Sequence, residues 1–123
     1  IILFHPWTTL ESLIRNLRVI AGNTDIFPHL FLGRLVLYSE FLPIFPRIKR
    51  EGLLRKSEYG YGFDFRIRDE MAQKAFDLYE ILHMHFGGNI SAEAYLKSLE
   101  LIRTHDIDHI LKDLFYLVPV KED

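Results

Sequence analysis

A chain of 123 residues, 49% apolar and 14% aromatic, is long enough to bury a core and too apolar to remain disordered. The absence of cysteine excludes a disulfide scaffold, cysteine–zinc sites and thiol catalysis. The net charge of −2 excludes little, but its distribution is uneven: residues 1–46 hold three basic and three acidic side chains, residues 47–68 seven and three, and residues 69–123 five and eleven. A neutral apolar third, a basic middle and an acidic end follow one another.

The chain opens on Ile1, which reads as trimming or processing, and no signal peptide is legible in Ile1–His5. The compartment is left open, with a lean toward the cytoplasm. The first clear element is a helix over 9–21. Thr8 and Glu11 have capping-box spacing, Leu10, Leu13, Ile14, Leu17 and Ile20 recur at helical period, and Gly22-Asn23 stops the run. Trp7, beside Pro6, is placed to staple this start.

From Pro28 to Leu42 apolar residues almost encircle a helical wheel, which predicts a second, central helix broken by Pro43 and Pro46. The wider run from Phe27 to Phe45 carries Arg34, Glu40 and Pro43, which argues against a membrane span. Residues 47–56 fit a short basic helix weakened by Gly52. The period then changes: Tyr59, Tyr61, Phe63, Phe65 and Ile67 alternate with smaller or polar residues, the signature of a short, irregular strand.

Asp69-Glu70 opens a third helix on the stripe Met71, Ala75, Leu78, Leu82 and Phe86, ended by Gly87-Gly88. Ser91 caps a fourth, and Asp106 a fifth that runs through Phe115 and ends before Pro119. The fold expected is mainly α. It is a compact bundle of about five helices in one domain over 1–123, with one short β-hairpin or irregular strand near residues 59–67.

No motif names a reaction, and the sequence points away from an enzyme. The serines lack a nucleophile elbow, no phosphate-cradling glycine loop occurs, and nothing calls for a cofactor. The favoured expectation is a protein-binding or regulatory module of the adaptor, regulator or toxin-neutralising immunity type. Asp106, Asp108 and Asp113 would steer a basic partner, and Tyr95 would serve as an anchor.

The alternative is nucleic-acid binding through 47–68, using Arg47, Lys49, Arg50, Arg55 and Lys56 with Tyr59, Tyr61 and Phe63. The string Gly60-Tyr61-Gly62-Phe63 resembles the core of the first RNP motif of RNA-recognition folds, a resemblance that implies bases stacked on exposed rings. It covers four residues and departs at Tyr59, where the motif is basic, and at Asp64, where it is apolar. The competing account of these rings is a hairpin covering one edge of the core. A second alternative is a metal or small-ligand site at His105 and His109, four residues apart. With Asp106 as a helix cap, however, His105 is expected outside the helix and the two rings apart.

Overall fold

The computed structural model describes residues 2–23, 30, 32–35, 37, 39–57, 62–87 and 90–114. In chain order these form β1 (Ile2–Phe4), α1 (Leu10–Ala21), β2 (Leu32–Arg34), α2 (Phe45–Arg50), β3 (Leu54–Lys56), β4 (Phe63–Phe65), α3 (Glu70–Phe86), α4 (Ala92–Leu99) and α5 (Ile107–Leu114). Five helices and two two-stranded sheets make the fold mainly helical, with more β-structure than one hairpin.

Helix α1 buries Leu10, Leu13 and Leu17, spaced three and four apart, and turns Glu11, Arg15, Arg18 and Val19 outward. Its capping box is Thr9 with Ser12, one residue beyond the expected pair. Thr8 is instead buried, and its Oγ1 accepts from the His5 N–H at 2.9 Å. Glu11 is released to pair with Arg103 at 2.8 Å.

The expected helix over 28–42 does not form. Leu32–Arg34 is a strand that pairs in parallel with Ile2–Phe4, and Leu37 bridges to Phe63. An apolar run without period encodes burial rather than conformation, and a parallel strand covered on both faces reads the same way. Gly33 suits this pairing, because a Cβ there would sit 3.3 Å from Leu3 Cδ1. Leu30, Leu32 and Leu37 are buried in the core all the same.

The expected basic helix over 47–56 is cut in two. Gly52, at φ +71°, lets the Leu53 N–H reach the Ile48 carbonyl at 3.0 Å while its own N–H reaches Lys49 at 3.1 Å. That pair of bonds is a Schellman stop, sealed by buried Ile48 and Leu53. The chain leaves it as β3, which pairs antiparallel with β4 in the register Leu54 to Phe65 and Lys56 to Phe63. The strand expected near 59–67 therefore exists at Phe63–Phe65. Its partner lies upstream, and Tyr59 and Tyr61 lie outside the described residues.

Helices α4 and α5 start at their expected caps, Ser91 and Asp106, and α3 opens at the expected place with Asp69 as its cap rather than within its first turn. Asp69 also reaches beyond its own helix. Its Oδ1 accepts from Met71 N–H at 3.0 Å and its Oδ2 from Leu10 N–H at 2.9 Å, so one carboxylate caps α3 and α1 together. Helix α1 packs on α3 and α4, and α4 on α5. Phe4 meets Phe76 edge-on at 4.8 Å and Tyr79 meets Tyr95 at 5.9 Å, joining β1, α3 and α4 in one apolar cluster. The expected end of α5 at Phe115–Pro119 lies outside the described residues. No helix among the described residues is long and apolar enough to cross a membrane.

Candidate nucleic-acid interface

Helix α2 turns Phe45 and Ile48 inward, so Arg47, Lys49 and Arg50 face solvent. Among the described residues strand β3 pairs only with β4, and its Arg55 and Lys56 are exposed as well. The Gly52 stop holds these two cationic elements three residues apart. Lys49, Arg50, Arg55 and Lys56 form no ion pair with any described residue. Across from Lys56, Phe63 is 36% exposed and sits edge-on to Phe45 at 4.8 Å. Phe41, just upstream of α2, is 86% exposed. Sequence reasoning missed Phe41, since inside an assumed helix it counts as one more core residue.

Other charges of this segment are paired within the molecule. Glu51 accepts from Trp7 Nε1 at 3.1 Å, Arg47 Nε at 2.8 Å and Arg68 Nη1 at 3.2 Å, while the Arg47 guanidinium covers the Trp7 ring at 3.9 Å. Those donors, Trp7 foremost, hold the Glu51 carboxyl below the ordinary glutamate range. Trp7 thus ties the segment between β1 and α1 to α2. Arg34 donates to Asp64 at 2.7 Å and to the Phe65 carbonyl, and lies over the rings of Phe65 and Phe76 at 4.1 and 4.9 Å. Outside these pairs, Lys49, Arg50, Arg55 and Lys56 are the exposed cations of α2 and β3.

The acidic end is organised differently. Tyr95, expected as an exposed anchor, is fully buried, and its hydroxyl donates to the Ala75 carbonyl at 2.6 Å. Burial, with Tyr79 nearby, raises its hydroxyl well above the ordinary tyrosine range. A ring enclosed between α3 and α4 cannot anchor a partner. The Asp106 carboxylate accepts from His109 N–H at 2.8 Å, and both Asp106 and Asp108 are exposed. Asp113 belongs to α5, and its side chain is outside the described part of the structure.

The structure brings His105 and His109 together despite the Asp106 cap. Their ring centres are 4.8 Å apart. The turn before α5 folds back, with His105 N–H on the Leu101 carbonyl at 3.0 Å. Lys74 Nζ holds the Ile102 and His105 carbonyls at 2.7 and 2.6 Å. Spacing along the sequence could not show this, because it depends on a lysine from α3. Among the described residues no group of three or more metal-ligating side chains of the His, Cys, Asp and Glu types gathers.

Compared with family models, with curated proteins and with solved structures, the chain matches none.

Proposed function

We propose that this domain binds single-stranded nucleic acid through the face made by α2, β3 and the rings of Phe63 and Phe41. One observation carries the reading: four exposed cations without ion-pair partners among the described residues lie on two elements adjacent along the chain, with the exposed Phe63 ring across the strand from Lys56. Cations follow a phosphate backbone, and aromatic faces stack on unpaired bases whatever their sequence. The acidic residues elsewhere repel the same polymer and so confine it to this face. The protein-binding reading is left without its anchor, since Tyr95 is enclosed.

Anisotropy of labelled single-stranded RNA and DNA, titrated across salt concentrations, tests the reading. Replacing Lys49, Arg50, Arg55 and Lys56 by Gln flattens the slope of log affinity against log salt by about 0.7 for each phosphate no longer neutralised. Phe63→Leu weakens binding by about 1–3 kcal/mol if a base stacks there. The triple change Asp106→Asn, Asp108→Asn and Asp113→Asn leaves binding intact or tighter. No binding at low salt, or binding that survives the quadruple change, overturns the proposal. A basic protein partner that the acidic triple change releases would restore the protein-binding reading in its place.

A further inference from the structure

We propose that His105 and His109 form an open, two-imidazole site for a divalent transition-metal ion, separate from the basic face. Two imidazoles bound to one ion at about 2.0–2.1 Å, with an angle between a right angle and tetrahedral, put their ring centres about 4.5–5.3 Å apart. The observed separation is 4.8 Å, with the ring planes inclined by 37°. His109 is exposed and His105 partly so, which leaves an entry path.

The surroundings assign roles to the ring nitrogens. Thr104 Oγ1 lies 2.8 Å from His105 Nδ1. When that hydroxyl accepts from Nδ1–H, Nε2 carries the free lone pair that a metal requires, the arrangement by which outer groups orient ligating histidines. The Lys74 and Asp106 bonds described above hold the backbone at His105 and His109, from which the two rings project. The field at this point is mixed. Lys74 and the positive end of α5 oppose a cation, while Asp106 and Asp108 favour one. With two protein ligands, water fills the remaining positions, so the ion exchanges readily and the fold does not depend on it.

The donor set is nitrogen, which selects borderline ions over hard ones and predicts copper tighter than nickel, and nickel tighter than cobalt. The experiment is a titration of the whole chain with Ni²⁺ alone near neutral pH, read by calorimetry and by broadening of the imidazole resonances. The expected result is saturable binding of one ion per chain, with the His105 and His109 resonances broadened first. His105→Gln and His109→Gln each weaken it by roughly ten- to hundredfold, as when one of two linked donors is removed. The double change His83→Gln and His85→Gln, on exposed residues of α3, leaves it unchanged. Far-UV circular dichroism confirms that each variant is folded. Absence of saturable binding overturns the proposal. So does an affinity that survives both single changes, or one matched by Mg²⁺, which would point to carboxylates.

Discussion

Asp69 is the residue whose replacement tests the architecture most directly. Its two oxygens satisfy N–H groups at the starts of α1 and α3, elements far apart in sequence. Asp69→Ala leaves Met71 and Leu10 N–H without these acceptors and removes a negative charge from two positive helix ends. A missing cap costs typically ~1 kcal/mol, and a charge near a helix start adds about 0.3–1 kcal/mol. The two ends together therefore lose about 2.5–4 kcal/mol. Asp69→Asn keeps one acceptor oxygen and loses the charge, so it should fall roughly midway. Urea unfolding followed by Trp7 fluorescence and by circular dichroism gives both values, provided the slope with denaturant is unchanged. A cost below about 0.5 kcal/mol for Asp69→Ala would refute the double cap, as would an Asn variant no better than Ala.

Two further changes probe buried and networked groups. Tyr95→Phe removes one internal hydrogen bond and costs about 1 kcal/mol. Because folding raises the Tyr95 hydroxyl above its unfolded value of about 10, the proton it retains supports the fold fully below that pH. This contribution is lost as pH climbs through the folded value, so the alkaline fall in stability is shallower in Tyr95→Phe; equal slopes would exclude Tyr95 as its source. Glu51 behaves in the opposite sense. Folding lowers its carboxyl, so its contribution is present above the unfolded glutamate value and disappears as pH falls through the folded one. Glu51→Gln should flatten the acid limb and alter Trp7 emission, and an emission unchanged by the substitution would contradict the indole bond.

The elements the sequence disclosed are those whose signals are local. Asp69, Ser91 and Asp106 precede apolar residues at helical spacing and each begins a helix in the structure, while the cap of α1 falls at Thr9, one residue past the expected Thr8. A cap and a stripe lie within a few turns of chain, so a linear reading contains them. The basic middle was legible for the same reason, since charge is counted residue by residue. Even so, which cations stay exposed was not. Arg47 and Arg68 close on Glu51, and Arg34 on Asp64, while Lys49, Arg50, Arg55 and Lys56 face solvent.

What the linear reading missed depended on partners distant along the chain. The stretch 28–42 shows its apolarity in the sequence, but its strand at Leu32–Arg34 exists because Ile2–Phe4 lies beside it. Strand pairing joins separated segments, and an apolar run gives no period from which to infer it. Tyr95 reads equally well as anchor or core from its composition, and the packing of α4 against α3 chose the core. His105 and His109 read as divided by a helix cap, yet Lys74 and the turn after α4 bring their rings together. Local hydrogen bonds and side-chain period thus determined where most helices begin and which face of each is apolar. Tertiary contacts decided the strands, the exposure of each charge and the histidine pair, because those depend on what lies across space rather than along the chain.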